Sequence, residues 1–340
     1  MRVLIVKTSS MGDVIHTLPA LTDAGRAMPS VTFDWVVEEA FTEIPAWHPA
    51  VSQVIPVAIR RWRKELFDTV GSNEWKQFKI SLRKFHYDLV IDAQGLLKSA
   101  WVVRRVKAPA AGFDRYSARE PLASWFYQHK ISVPKQMHAV ERSRELFAHA
   151  LNYSKPANKG DYGIDPHRFY GSSVEPPNVV FLHGTTRDDK HYPEPYWRRL
   201  AIMLTQAQYR VRLPWGNEVE KARAERIVAG IDNAEVLPKL NLQGVAGVLA
   251  QARAVVAVDT GLGHLSAALN IPTVSLYGST NPALVGTYGE NQIHLQAGDY
   301  AVPEADHTKV EPAIFSALVP EQVYRILVDK MLASRPVKVG

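Results

Sequence analysis

Two polar loops in the second half of the chain have the composition of phosphate-binding loops. The first, with the sequence VDTGLGHL, runs from Val258 to Leu265, follows an apolar run and opens a helical pattern. Backbone amides at a helix N-terminus attract anions, and glycines allow the backbone to come close to them. A simpler interpretation stays open, in which Asp259 caps the helix and the glycines only form a turn.

The second loop lies between His183 and Pro193 and also precedes a helical pattern. Thr185 and Thr186 supply hydroxyl donors and Lys190 an ammonium group, and each charge-assisted bond contributes roughly 1.5 to 3 kcal/mol. Two loops of this kind in one domain predict a diphosphate ligand.

Asp13 is a third candidate, in the polar segment that follows the first strand-like run. Two interpretations are open: its carboxylate lies at the mouth of a cleft, or Asp13 or Ser10 simply caps the next helix. Neither GxGxxG nor GxxxxGK(S/T) occurs in this segment, which disfavours a nicotinamide-dependent dehydrogenase and a P-loop ATPase.

All these loops follow apolar runs that alternate with amphipathic helical patterns. Such alternation predicts parallel sheets covered on both faces, whose ligands bind beyond the carboxyl ends of the strands. The strand-like runs span residues 2–6, 31–37, 51–59, 87–93, 178–184, 209–216, 234–238, 254–260 and 272–278. The segment 155–177 contains several prolines and glycines and reads as a linker between two domains, and 320–333 reads as a final helix.

The composition excludes several classes of protein. The chain has 340 residues, 46% of them hydrophobic and 22% charged, which is enough for two globular cores. The absence of cysteine excludes a disulfide scaffold, a thiolate nucleophile, zinc fingers and iron–sulfur clusters. No apolar run approaches the roughly 18 residues that span a bilayer, so we expect a cytoplasmic protein.

The excess positive charge lies in the first half. The net charge is +6, with 21 basic and 15 acidic residues in 1–150 and 19 of each in 151–340. This distribution predicts an anionic partner, which could be nucleic acid, an acidic membrane or a phosphorylated molecule, and the alternative is a solvated surface of mixed sign. Basic residues cluster around Trp62 and again shortly after Trp101.

Eight separated segments resemble, in the same order, those of the lipopolysaccharide heptosyltransferases of glycosyltransferase family nine. They are MRVLIVKTSSMGDVIHTLPALTDA (1–24), RRWRK (60–64), DAQGLLKSA (92–100), AREPLAS (118–124), HAVERSRELF (138–147), TTRDDKHYP (185–193), LPWG (213–216) and VDTGLGHL (258–265). Many motifs in one order are far more specific than a single loop.

The resemblance implies an α/β fold of the GT-B type, with two Rossmann-like doubly wound parallel-sheet domains facing an interdomain cleft. We expect an acceptor-binding domain at 1–160 and an ADP-heptose-binding domain at 177–318. Residues 319–340 are expected to form a C-terminal helix and tail that pack toward the first domain. The implied reaction is an inverting transfer of L-glycero-D-manno-heptose from ADP-heptose to the Kdo of Kdo-lipid A, with no metal and no cofactor.

The family's functional residues carry over to individual positions. Asp13 resembles the general base that takes the proton of the Kdo hydroxyl. The implied donor-binding residues are Thr185, Thr186, Lys190, Glu220, Leu240, Asp259, Thr260, Gly261 and His264. Glu220 matches the ribose-binding position, and Leu240 replaces the apolar residue, often Met, that lies against adenine. Asp259 either contacts the heptose hydroxyls or caps its helix.

The acceptor side is implied to be basic. Its residues are Arg60, Arg61, Arg63, Lys64 and Arg119, which suit Kdo carboxylates and lipid A phosphates, although each could belong to a solvated basic face. We expect a monomer that lies peripherally on the cytoplasmic face of a Gram-negative inner membrane. Trp62 either enters that interface or packs on its own domain, and His16 either orients Asp13 or caps a turn.

Two other functions remain as alternatives. One is another sugar-nucleotide transferase of the same fold, which adds the second core heptose. The other is a basic nucleic-acid-binding module, but that reading leaves Asp13 and the two phosphate loops without a role. We therefore expect no nucleic-acid partner, and salt-dependent binding to random duplex DNA would contradict this.

Overall fold

The chain forms two compact units, each built on one parallel sheet. The structure, a computed structural model, describes residues 1–62, 72–171, 177–300 and 310–332. The units are Met1–Ile164 and Asp165–Gly340, so the division lies close to the expected end of the first domain at residue 160. The predicted α/β class, with two doubly wound parallel sheets, is confirmed.

The sheet of the first unit has the strand order β3-β2-β1-β4-β5-β6. Its strands are β1 Arg2–Val6, β2 Thr32–Glu38, β3 Val51–Val57, β4 Leu89–Asp92, β5 Ala110–Phe113 and β6 His129–Ile131. The order reverses between β1 and β4, which pair in parallel with Val3 opposite Leu89. Ligand crevices of doubly wound sheets lie at such a switch point, beyond the carboxyl ends of the strands.

Helices cover both faces of this sheet. They span Met11–Ile15, Leu18–Ala27, Glu43–Ala46, Ile59–Trp62, Asn73–Arg83, Leu97–Val103 and Ala139–Leu151, with 3₁₀ turns at Glu39–Phe41 and Pro121–Phe126. β1 is buried from Val3 onward because it carries apolar side chains toward both helical layers. On one face, helix Leu18–Ala27 packs against Ala139–Leu151, where Arg144 Nε donates to Asp23 Oδ2 over 2.6 Å.

The second unit repeats the same arrangement. Its strands are β7 Asn178–Leu182, β8 Arg210–Leu213, β9 Ala234–Val236, β10 Ala254–Val258, β11 Thr273–Tyr277 and β12 Gln292–Gln296. The order β12-β11-β10-β7-β8-β9 places its switch point between β7 and β10. Its α-helices span Glu194–Gln206, Glu218–Val228, Leu242–Ala250, Gly261–Ala268, Pro282–Val285 and Pro320–Leu327, and 3₁₀ turns span Pro166–Phe169, Asp188–Lys190, Ala297–Asp299 and Ala313–Phe315.

The C-terminal helix packs on its own unit as far as the structure describes it. Helix Pro320–Leu327 lies against Glu194–Gln206, and a π-helical turn, Val328–Leu332, follows it. The Tyr192 hydroxyl donates to the Leu318 carbonyl oxygen over 2.8 Å. This hydrogen bond fixes the segment that leads into helix Pro320–Leu327. The expectation that 319–340 packs toward the first domain stays a prediction, and residues 333–340 lie outside the described part of the chain.

All nine strand-like runs form strands, but three further strands were missed. β5 has the sequence AAGF, in which small residues replace the branched ones that mark a strand. A Cβ on Gly112 would lie 2.5 Å from the Tyr127 ring, so close packing explains the glycine. β6 is a three-residue, largely exposed strand, and β12 carries polar residues at several positions.

Candidate functional site

Asp13 lies at the switch point of the first sheet, shortly after β1. Ser10 is the N-cap of helix Met11–Ile15, and its backbone N–H and hydroxyl donate to Asp13 Oδ2 over 2.9 and 2.8 Å. Asp13 therefore holds the start of the helix in the manner of a capping box. Its side chain is still 33% exposed, so the capping interpretation describes this residue, and its place at the mouth of a cleft stays a prediction.

A buried lysine faces this carboxylate. Lys7 Nζ lies 3.8 Å from Asp13 Oδ1 and donates to the Ala93 carbonyl oxygen over 3.0 Å. Burial raises the pKa of Asp13, but the charge of Lys7, the two Ser10 hydrogen bonds and the charge of Arg119 outweigh it and hold the pKa below its ordinary value. Burial also lowers the pKa of Lys7, against the opposing charges of Asp13 and Asp92. Asp13 is therefore an ionised carboxylate at neutral pH.

The loop that carries Asp13 is fixed from the neighbouring strand β4. Gln94 Oε1 accepts the backbone N–H groups of Thr8 and Ser9 over 3.0 and 3.2 Å. Gln94 is itself held by Asp92, whose Oδ1 accepts the Gln94 N–H over 2.9 Å, while Asp92 Oδ2 accepts the Tyr127 hydroxyl over 2.7 Å. A buried, satisfied network of this kind fixes the loop at the mouth of the crevice.

Sequence reasoning missed the residues around Asp13. Lys7 and Gln94 follow the carboxyl ends of β1 and β4, the two strands that flank the switch point. The rule that ligands bind beyond strand ends singled out Asp13, and it applies equally to these two residues. Lys98, on helix Leu97–Val103, donates from Nζ to the Ser9 hydroxyl oxygen over 2.9 Å. Burial lowers the pKa of Lys98, with the carboxylate of Glu38 opposing the shift.

In the second unit, Asp259 gathers several of the predicted donor-binding residues at the switch point. Its Oδ2 accepts Lys190 Nζ over 2.5 Å and the Thr280 hydroxyl over 2.6 Å, and its carbonyl oxygen accepts the Thr185 hydroxyl over 3.0 Å. The Lys190 and Asp259 side chains are only 18% and 13% exposed. Asp259 therefore positions Lys190 and does not cap the following helix.

The residue that does occupy the N-cap is Thr260. Its backbone is extended and its side chain makes no capping hydrogen bond. The Thr260 side chain therefore does not occupy the first backbone N–H groups of helix Gly261–Ala268. Gly261 opens the helix, and His264 is buried on its first turn. The Gly263 N–H donates to the Thr260 carbonyl oxygen over 3.1 Å, which leaves the two preceding amides at the helix start. These amides, the helix dipole and a nearby ammonium group form an arrangement that suits an anion.

Glu220 lies beside Gly184, which follows β7. The Gly216 N–H donates to Glu220 Oε2 over 2.7 Å, and the Glu220 N–H donates to Asn217 Oδ1 over 3.0 Å. A Cβ at position 184 would lie 2.8 Å from the Glu220 carboxyl carbon, so Gly184 leaves room for that carboxylate.

Leu240 is half-buried and packs near Gly244, at the start of helix Leu242–Ala250. Trp215 is a neighbouring aromatic residue of this region that sequence reasoning did not assign, and its Nε1 donates to the Leu237 carbonyl oxygen over 2.7 Å. Thr186 is exposed after β7.

The predicted acceptor residues differ in whether carboxylates of the protein already bind them. Arg60 and Arg119 are exposed, and the charge of Arg119 acts on Asp13. Arg61, by contrast, donates to both carboxylate oxygens of Glu74 over 2.9 and 2.6 Å, and to Glu39 over 3.2 Å. These hydrogen bonds raise the pKa of Arg61 and match its charge within the protein. Arg63 and Lys64 lie outside the described residues.

Trp62 packs on its own unit and does not present its ring to a membrane. It is 6% exposed, with its ring centroid 5.5 Å from Trp75 and 5.4 Å from Phe78. His16 is 3% exposed, and its ring lies 5.4 Å from that of His138. These contacts give Trp62 a packing role, and the role of His16 beside Asp13 stays a prediction.

The described residues offer neither a cluster of metal ligands nor a membrane-spanning helix. Among the residues in the described ranges, no group of three or more His, Asp or Glu side chains could hold a metal ion. No helix of those same ranges is long and apolar enough to cross a membrane.

Comparison with known proteins gives one consistent result. Residues 75–314 match the model of glycosyltransferase family 9 (heptosyltransferase). The chain is 55% identical to lipopolysaccharide heptosyltransferase 1 of Pseudomonas aeruginosa, over 98% of this chain and 99% of that protein. It is 56% identical to the Escherichia coli K12 protein of the same name, over 87% of this chain and 94% of that one. The structure of E. coli heptosyltransferase WaaC with ADP superposes with a TM-score of 0.89 at 51% identity, over 97% of this chain and all of that one.

This degree of identity over nearly the whole length confirms the family that the eight sequence motifs indicated. The chain belongs to glycosyltransferase family 9, the heptosyltransferases.

Proposed function

We propose that this chain transfers L-glycero-D-manno-heptose from ADP-heptose to the Kdo of Kdo-lipid A, with inversion at the anomeric carbon. The observation that carries the proposal is the Asp13 carboxylate, which is ionised, partly exposed and fixed at the switch point of the first sheet. The near-full-length likeness to lipopolysaccharide heptosyltransferase 1 supports the substrates.

Asp13 acts as the general base in this proposal. The acceptor hydroxyl oxygen bonds to the anomeric carbon, its proton passes to the free carboxylate oxygen, and the bond from that carbon to the ADP oxygen breaks. The lowered pKa keeps Asp13 ready to accept the proton, and the hydroxyl becomes acidic enough to give it up as its new bond forms. Ser10 holds Oδ2 and so leaves Oδ1 as the oxygen that faces Lys7.

The second unit stabilises the departing nucleotide. Negative charge grows on the diphosphate as the bond breaks, and preorganised donors aimed at that charge lower the barrier. Lys190, held by Asp259, supplies an ammonium group, and the opening amides of helix Gly261–Ala268 supply N–H donors. These protein donors carry the charge stabilisation in the proposal, so it requires neither a metal ion nor a cofactor.

The nucleoside is bound beside these groups. Glu220 accepts from the ribose hydroxyls with the carboxylate that the Gly216 N–H positions. Leu240 gives adenine an apolar contact. Thr185, Thr186, Thr260 and His264 complete the proposed donor site.

The acceptor is bound by the first unit, where basic residues surround Asp13. Arg60 and Arg119 are exposed there and suit carboxylate and phosphate groups, since a guanidinium binds such groups with two parallel hydrogen bonds. Arg63 and Lys64 remain proposed acceptor residues. Because the acceptor is a lipid, the proposal places the protein, as a monomer, at the cytoplasmic face of the inner membrane.

The test is incubation of the protein with ADP-heptose and Kdo-lipid A, followed by mass analysis of the lipid. One added heptose supports the proposal, and nuclear magnetic resonance of the product reports whether the anomeric configuration has inverted. A parallel reaction with EDTA should proceed at the same rate. An acceptor that gains heptose only after a first heptose is already present would favour the transferase of the second core heptose.

A further inference from the structure

Large exposed apolar side chains gather on two neighbouring helices of the first unit. Leu97 is 44% and Trp101 37% exposed, and Leu122 is 48% and Trp125 75% exposed. We call these four residues the apolar patch. None of them serves the chemistry proposed above.

The helix and the 3₁₀ turn that carry the patch are neighbours in the fold. Helix Leu97–Val103 packs against the 3₁₀ turn Pro121–Phe126, and the Leu97 N–H donates to Glu120 Oε2 over 2.6 Å at the entry to that turn. Leu97 and Trp101 are four residues apart on an α-helix and so share one face. Leu122 and Trp125 are three apart in a 3₁₀ turn, in which such side chains lie above each other.

Basic residues surround the patch. Residues 97–107 contain Lys98, Arg104, Arg105 and Lys107 and no acid, and residues 115–126 contain Arg115 and Arg119 with Glu120 as the one acid. The Arg105 guanidinium lies 3.3 Å from the centre of the Trp101 ring and donates to the Trp101 carbonyl oxygen over 2.6 Å. The Trp101 ring also stacks on Trp75, with centroids 5.0 Å apart, so Trp125 is the more exposed indole of the patch. The combination of exposed apolar side chains with unbalanced positive charge is complementary to an anionic lipid surface.

The patch also adjoins the Asp13 crevice. Lys98 follows Leu97 on the same helix, and its ammonium group reaches the Ser9 hydroxyl in the loop that carries Asp13. Arg119, two residues before the turn that carries Leu122 and Trp125, acts electrostatically on Asp13. A surface held by the patch would therefore present a lipid-anchored sugar beside the carboxylate.

We propose that the apolar patch docks this chain onto an anionic bilayer, with Leu122 and Trp125 inserted at headgroup depth and Arg104 and Arg105 against lipid phosphates. The patch thus takes the membrane role that was one of the two interpretations of Trp62, which is buried. The idea that docking delivers the acceptor rests on the proposed function, but the bilayer binding itself does not.

The test is cosedimentation with vesicles of mixed phosphatidylglycerol and phosphatidylcholine, compared with vesicles of phosphatidylcholine alone. We expect the wild-type chain to bind the mixed vesicles and to bind less as salt rises, because salt screens the basic residues. The partition coefficient of the double variant Leu122→Ser/Trp125→Ser should fall about tenfold or more. The two substitutions remove most of the apolar area that the proposal inserts into the bilayer. Val219→Ser, which removes a 73% exposed side chain from the second unit, is the matched control and should bind as wild type.

Three results would overturn the proposal: binding of the double variant equal to wild type, no binding of wild type to the anionic vesicles, or a wild-type dimer that the double variant dissociates without any vesicle effect. The last would assign the patch to a second copy of the chain. Turnover of a delipidated Kdo acceptor distinguishes failure of the docking proposal from failure of the proposed function. This acceptor needs no bilayer, so the double variant should process it at the wild-type rate. Absence of turnover in every variant would refute the proposed function and leave the vesicle result valid.

Discussion

Lys7 Nζ lies 3.8 Å from Asp13 Oδ1, at the carboxyl end of β1. The lysine is buried and also bound to the Ala93 carbonyl oxygen, so its charge is held in place and little screened by water. The pair links the protonation state of the proposed base to a residue that need not contact either substrate.

Asp13→Asn should abolish most turnover and leave donor binding intact. The Asn side-chain oxygen still accepts the Ser10 N–H, so the start of helix Met11–Ile15 is preserved while the base is lost. We expect kcat to fall about 10²- to 10⁴-fold, the usual contribution of a positioned base. Calorimetry with ADP-heptose should give the wild-type affinity. Turnover near the wild-type rate with normal affinity would refute the assignment of the base.

Lys7→Met should move the acidic limb of the pH–rate profile to higher pH. The charge of Lys7 helps to hold the pKa of Asp13 below its ordinary value, so its removal raises that pKa. A general base works only when deprotonated, so the rate of the variant is lost at a higher pH as the solution is acidified. The measurement is kcat/KM as a function of pH. Lys79→Met, on helix Asn73–Arg83, is the matched control, and equal limbs for both variants would contradict the role of Lys7.

Lys190→Met should weaken ADP binding about ten- to a hundredfold, because one charge-assisted hydrogen bond to phosphate contributes about 1.5 to 3 kcal/mol. Asp259→Asn should act in the same direction, since Asp259 positions the ammonium group. A double-mutant cycle on calorimetric affinities measures how far the two effects are coupled. Lys221→Met removes a more exposed lysine from the same unit and should bind ADP as wild type. Independent, additive effects would show that Asp259 does not act through Lys190.

Gly184→Ala should raise the KM for ADP-heptose roughly tenfold with little change in kcat, since ribose contacts bind ground state and transition state alike. The added Cβ would lie 2.8 Å from the carboxyl carbon of Glu220, so the carboxylate must move. Gly298→Ala is the control, because nothing lies within 4 Å of its Cβ position. If the Gly184 variant kept its KM and thermal stability, Glu220 would not be held where the ribose binds.

Arg119→Ala should impair acceptor use more than Arg61→Ala. Arg61 already donates to Glu74 and Glu39, so its charge is matched within the protein. We expect Arg119→Ala to raise the acceptor KM about tenfold, as loss of one charge-assisted contact predicts. Titration of Kdo-lipid A at saturating ADP-heptose measures both variants. A larger KM increase for Arg61→Ala would show that the acceptor displaces its carboxylate partners.

The class of fold, nine of the twelve described strands and the family follow from local sequence patterns. Apolar runs such as RVLIV at residues 2–6 are local properties, and so are the polar loops that follow them. The rule that ligands bind beyond strand ends was enough to single out Asp13, Thr185 and Asp259. Eight ordered motifs between residues 1 and 265 are enough to identify the heptosyltransferases.

The hydrogen-bond and packing partners of these residues, by contrast, are visible only in the folded chain. Gln94 reaches Thr8 across 86 positions and Lys190 reaches Asp259 across 69, and no local pattern encodes such pairs. The sequence does not show that Arg61 pairs with Glu39 and Glu74, because these residues lie 22 and 13 positions away. It also leaves open whether Trp62 enters a membrane, which the structure answers by packing its ring on Trp75 and Phe78. The physical reason is that hydrogen bonds and burial depend on distance in space, which the packing of the strands and helices sets.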